Sequence, residues 1–174
     1  MHHHGYLWVG DKAVFDDDGL RRMPVAPWPA DDPEETVRRQ AAYRAWTEAF
    51  IRSEVPPLET AHWLMKSPSL IRGTWDDPAA AAAWLGGVLR EQAPRFASEH
   101  DRDPARLARQ VARAAAALAS GGDVSVGCYL TTPTFLSVAV VTCSPNRAEP
   151  DLPCPIPHPP GPPHPPRSDR TPPP

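Results

Sequence analysis

The chain has 174 residues, with 18 lysines and arginines against 21 aspartates and glutamates, and a formal net charge of −3. That balance argues against a whole-protein attraction to nucleic acid or to an anionic membrane surface. From Pro145 to Pro174 the chain holds 14 of its 25 prolines. Their missing amides and fixed φ prevent helix and ladder, so residues 1–144 are expected to form one domain and 145–174 a disordered proline-rich tail.

Lys12 and Lys66 are the only lysines, and arginine, alanine and proline abound, the bias of a GC-rich bacterial genome. Three cysteines make no disulfide framework, and no arginine- or lysine-led apolar run of signal length opens the chain, so a cytoplasmic protein is expected. His2, His3 and His4 read equally as a tag remnant or as native residues, and are left out of the expected fold.

In chain order, Tyr6–Val9 and Ala13–Phe15 are β-type runs around Gly10-Asp11-Lys12, which predicts an N-terminal hairpin. Asp16-Asp17-Asp18-Gly19 lacks the alternation and the twelfth-position glutamate of a calcium loop and reads as a polar turn. Met23–Ala30, rich in proline, reads as an extended connector. One helix-start signal then recurs in Asp32-Pro33, Asp77-Pro78 and Asp103-Pro104, a capping carboxylate before a proline that has no amide to lose.

The first of these helices is expected over 33–53, with Glu35 at the capping-box position and Ala42, Tyr43, Trp46, Ala49 and Phe50 on its inward face. A shorter helix is expected over 58–66. The second capped helix, 78–92, turns Ala81, Trp84, Leu85, Val88 and Leu89 inward, and its Gly86-Gly87 pair implies a close backbone crossing. The third, 104–120, carries a clean stripe of Leu107, Val111, Ala114 and Leu118, and Gly121 stands where a left-handed C-terminal cap is wanted.

Between Val124 and Cys143 there is no charge. A loop over 131–135 would pair Leu130 with Leu136 and put Val124, Val126, Cys128, Val138 and Val140 on one apolar face, with small residues opposite. In that register Cys143 faces Asp123 and Cys128 faces Val138, too far apart for a disulfide. A membrane helix is disfavoured by the central threonines, Pro133 and the period-two valines. The fold class predicted is therefore α+β: an N-terminal hairpin, three to four helices, a C-terminal hairpin and the tail.

The amphipathic helix ending in Ala-Ser-Gly-Gly, followed by Ser125, Thr131, Thr132, Thr134, Ser137, Thr142, Cys128 and Cys143, resembles the leader end of double-glycine, lanthipeptide-like precursors. That resemblance implies cleavage after Gly122. It covers some 30 residues, and it departs from the pattern in its long leader and in the proline-rich segment behind the product.

Site candidates are few. Arg102, Arg106, Arg109 and Arg113 share one helix edge, which reads as a solvated face answering nearby acids rather than a nucleic-acid contact. Cys154, His158 and His164, with Cys143 upstream, are zinc-ligand types, but a polyproline segment has no way to present them. Cys128 reads as an inert apolar residue and Cys143, at a strand end, as an accessible thiol. His62 and His100 have no evident catalytic partner, and no catalytic, metal or cofactor site is predicted. The tail carries PxxP spacing, so Pro155, Pro159 and Pro162, with Trp28 and Trp63 from the tryptophan-rich first half, are candidate contacts for a protein partner. The function expected is non-enzymatic protein interaction, with the peptide precursor as the alternative and a small enzyme of unrecognised type third.

Overall fold

The computed structural model describes residues 1–156. In chain order it has β1 (His2–Asp11), short α1 (Lys12–Phe15) and α2 (Asp18–Arg21), and the long α3 (Pro33–Arg52). Two 3-10 turns, Thr60–Met65 and Pro68–Leu70, lead into β2 (Ile71–Trp75). Then come α4 (Pro78–Gln92), α5 (Glu99–Arg102), α6 (Pro104–Ala119), β3 (Val124–Tyr129) and β4 (Thr134–Cys143). All four strands join in one antiparallel sheet of order β2-β1-β4-β3. The α+β class holds.

The N-terminal hairpin does not form. The chain stays extended to Asp11, whose carboxylate then accepts from the Ala13 amide and starts a helix where the second strand was expected. The ladder partner of β1 is β4, from His2 opposite Cys143 to Asp11 opposite Thr134. On its other side β1 pairs with β2, an unforeseen strand.

All three Asp-Pro signals are helix starts. Asp32 accepts from Glu34, Asp77 from Ala79 and Ala80, and Asp103 from Ala105 and Arg106. Glu35 makes no capping box, because Arg38 and Arg39 hold its carboxylate at 2.9 Å. The expected inward face of α3 is also corrected. Only Phe50 of that helix is buried, and Trp46 is 61% exposed. The helix docks by its last turn, where Lys66 reaches under it and donates to the Phe50 carbonyl at 2.6 Å.

The core under α4 and α6 matches the expected stripes. Ala81, Leu85 and Leu89 meet Leu107, Ala114 and Leu118 over Val126, Cys128, Val138 and Val140. Gly121 has φ +77, and the Gly122 amide returns to the Ala117 carbonyl at 2.9 Å. Cleavage after Gly122 would remove β3 and also β4, which pairs with both β1 and β3.

The β3–β4 hairpin keeps the predicted faces but slides by two residues. Cys128 lies opposite Leu136, and the loop is shortened as Leu130 donates to Thr134 at 2.9 Å. A shift of two preserves side-chain parity, so the even residues still share the apolar face. On β3 the odd residues Ser125, Gly127 and Tyr129 are exposed, but β4 is buried on both sides. A strand with both faces covered reads as an unbroken apolar run, which accounts for the uncharged stretch.

The domain does not stop at 144. Asn146 is buried, and its Nδ2 donates to Asp123 and, at 2.7 Å, to the Thr142 carbonyl. Leu152 and Cys154 pack against the buried group of Tyr6, Trp63, Val141 and Cys143. Residues 145–156 are thus attached to the sheet, and the remainder of the predicted tail lies outside the described residues.

The glycine pair separates into two cases. A Cβ at Gly86 would lie 2.7 Å from Val111 Cγ2 of α6, while one at Gly87 meets nothing within 4 Å. Gly86→Ala is expected to destabilise by about 1–2 kcal/mol through overpacking, and Gly87→Ala to stabilise by about 0.5–1 kcal/mol through helix propensity. Urea unfolding of the two variants reads both signs.

Lys66 gives a pH signature. Its ammonium lies 3.7 Å from the Phe50 ring centroid, and burial lowers its pKa to about 8. The unfolded lysine stays charged to about 10.5, so above pH 8 unfolding takes up a proton and rising pH stabilises the fold. Cys128 and Cys143, raised by burial from 9.0 to about 11, oppose this from about pH 8 upward, as the unfolded thiols begin to ionise. The difference between the unfolding titrations of the wild type and Lys66→Met should therefore grow by about 1 kcal/mol between pH 8 and 9 in favour of the lysine.

Candidate metal centre

Strand alternation divides the N-terminal histidines. His2, His4 and Tyr6 lie on one face of β1 and His3 on the other. All three histidines are buried, with relative exposures of 2%, 0% and 0%. They are part of the sheet, so leaving them out of the expected fold is corrected. Burial at this level implies polar partners. His3 Nδ1 lies 3.1 Å from Thr142 Oγ1, and burial holds the pKa of His3 below its ordinary value.

On the opposite face, the ladder sets Cys143 directly across from His2. The chain then turns at Ser144-Pro145, is held at Asn146, and brings Cys154 back over the same spot. His2 Nε2 is 3.1 Å from Cys154 Sγ, and His4 Nε2 is 3.6 Å from it. One donor atom from each of His2, His4, Cys143 and Cys154 lies within 4.8 Å of every other. A tetrahedral zinc site with bonds of about 2.0 Å to nitrogen and 2.3 Å to sulfur has nitrogen–sulfur edges of about 3.6 Å. The nitrogen–sulfur distances of 3.1 and 3.6 Å lie near that edge, all four donors are close enough to share one ion, and their types are those of a Cys2His2 centre.

The surroundings favour the same use. His4 Nδ1 lies 2.9 Å from Thr74 Oγ1 of β2. A hydrogen bond there fixes the ring and leaves Nε2 as the lone-pair donor, the usual arrangement behind a ligating histidine. The His2 and His4 rings meet edge to face at 4.9 Å. Burial is the largest influence on the Cys143 thiol and raises it to about 11, and neighbouring Cys154 adds to the rise. A bound cation reverses that balance by stabilising the thiolate.

Cys143 is thus not the accessible thiol expected from the sequence: it is fully buried, because β1 covers the strand end. The sequence did bring Cys143 and Cys154 together as ligand types, alongside His158 and His164. His158 and His164 lie outside the described residues, and the partners come from the opposite end of the chain. The signal that could have found them is His-x-His on a strand, which places both rings on one face.

The other candidates fall apart from this site. Trp63 is buried and stacked on Tyr6 at 4.7 Å, so it offers no surface, whereas Trp28 is 87% exposed. Pro155 is half-buried beside Cys154, and Pro159 and Pro162 lie outside the described residues. Arg102 donates to the Phe96 carbonyl, Arg106 pairs with Asp101 at 3.3 Å, and Arg109 pairs with Asp103 at 3.9 Å. Arg106, Arg109 and Arg113 share α6, Arg102 ends α5, and two of the four have an acid partner. His62 Nε2 stands between Glu59 at 3.7 Å and Glu149 at 3.8 Å, apart from the group that holds Cys143.

Among the described residues no helix is long and apolar enough to cross a membrane. No protein-family model, curated protein or solved structure matches the chain.

Proposed function

We propose that this chain is a non-enzymatic protein-interaction domain braced by one structural metal ion of the zinc class. The observation that carries the metal is that donor atoms from His2, His4, Cys143 and Cys154 all lie within 4.8 Å of one another. Four protein ligands fill a tetrahedral ion and leave no position for water or substrate, which is the mark of a structural rather than a catalytic centre. The ligands come from β1, β4 and the segment after β4, so an ion there ties the two ends of the described chain.

The interaction surface is the connector and α3. Val25 is 86% exposed, and with Met23, Pro24 and Trp46 it lines a groove of about 430 Å3 that also includes Asp18 and Arg22. Trp28 is exposed on the same connector. Aromatic groups standing in solvent beside a few charges are the composition of a protein contact.

Protein produced without an affinity tag, with reductant present, should carry a single equivalent of zinc by elemental analysis. Cobalt substitution should give the absorption of a tetrahedral thiolate site, and Cys143→Ser or Cys154→Ser should weaken binding at least tenfold. Cobalt bound without sulfur charge transfer, or unchanged affinity in both serine variants, defeats the metal reading. Trp28→Ala and Trp46→Ala should each change stability by less than about 0.5 kcal/mol, since neither side chain is buried. A larger loss in thermal unfolding would make them structural residues and not contacts.

A further inference from the structure

Resting on the metal-centre reading, we infer that the ion is a clasp: it holds residues 147–156 against the sheet, and its loss releases that segment about a hinge at Asn146. Little else ties the segment down. Arg147, Ala148, Pro150, Asp151, Pro153 and Ile156 are exposed, and none of residues 147–156 is fully buried. Most of its hydrogen bonds are local. The Ala148 and Glu149 amides go to Asn146 Oδ1, Leu152 donates to the Glu149 carbonyl, and Cys154 reaches the Ile156 carbonyl. Such bonds shape the segment and join its start to Asn146, but reach no further into the sheet.

Among the described residues, three links cross to the body. Glu149 faces His62 at 3.8 Å, a half-exposed ion pair of the kind that contributes little. Leu152 packs part of its side chain on the Tyr6–Trp63 group. Cys154 meets His2 and His4. A metal–thiolate bond outweighs the other two, so occupancy of the site decides whether the segment is bound.

The other three ligands behave differently. His2 and His4 belong to β1 and Cys143 to β4, and those strands are paired along their whole length. Asn146 is buried, and its side chain is held by Asp123 and Thr142. Loss of the ion therefore leaves the sheet and the hinge standing and frees residues 147–156. The segment carries Pro150, Pro153 and Pro155, and ten of the eighteen residues that follow it in sequence, 157 to 174, are proline. The clasp thus governs how the root of the proline-rich chain is presented.

The test is hydrogen exchange by mass spectrometry on the full chain under reductant, with zinc bound and after chelation. Reductant prevents a Cys143–Cys154 disulfide from replacing the ion. Peptides covering 147–156 should exchange about tenfold faster or more after chelation, with β1 and β4 unchanged. Cys154→Ser should show the fast segment even with zinc present. A stoichiometrically bound zinc whose removal leaves 147–156 unchanged overturns the clasp and leaves the metal centre intact. Exchange in β1 and β4 that accelerates as much as the segment also overturns it, because the ion then holds the whole fold. Failure to bind zinc removes the centre and the clasp together.

Discussion

The pairing of β1 with β4 is the constraint on which the rest of the structure depends. It runs from His2–Cys143 to Asp11–Thr134 and joins two segments more than a hundred residues apart. Because β4 also pairs with β3, it is an interior strand with both edges used and both faces covered. One face carries the core of α4 and α6, and the other carries Tyr6, Trp63 and the cysteine–histidine group. Each ladder bond contributes modestly, but an unmade one in this position would leave a buried amide or carbonyl without water.

At the end of that ladder the sheet gathers polar groups that would be costly alone. Asp123 is pushed above the ordinary carboxyl range by burial, and the Asn146 side chain and the Thr142 amide work against that shift. The Thr142 hydroxyl donates to the Gly122 carbonyl, and His3 lies against the same oxygen. This network fixes the chain just past β4, so that Cys154 returns over His2 and His4. The metal centre and its hinge are consequences of how these buried polar groups find partners.

The helices were legible because their signals are local. An Asp-Pro start is read within three residues, and it held at Asp32, Asp77 and Asp103. The stripe of α6 and the close crossing at Gly86 were legible for the same reason. Faces were legible only where another element covers them: α6 buries its stripe, while the similar stripe of α3 finds no cover and leaves Trp46 in solvent. The hairpin parity was correct although its register was not, since a two-residue slide keeps every side chain on its face.

By itself the sequence determined the α+β class, the three Asp-Pro caps, the bounds of the three helices they start and the alternation of the uncharged strands, all of which depend on neighbours a few residues apart. Only the tertiary structure decided that the three N-terminal histidines are buried in a strand, that the first residues pair with the last strand, and that Cys143 and Cys154 meet His2 and His4. Those ligands are 139 or more residues from their partners, except within each pair. No spacing rule reaches that far, because such contacts are set by which strand edges remain to be paired once the local elements have formed.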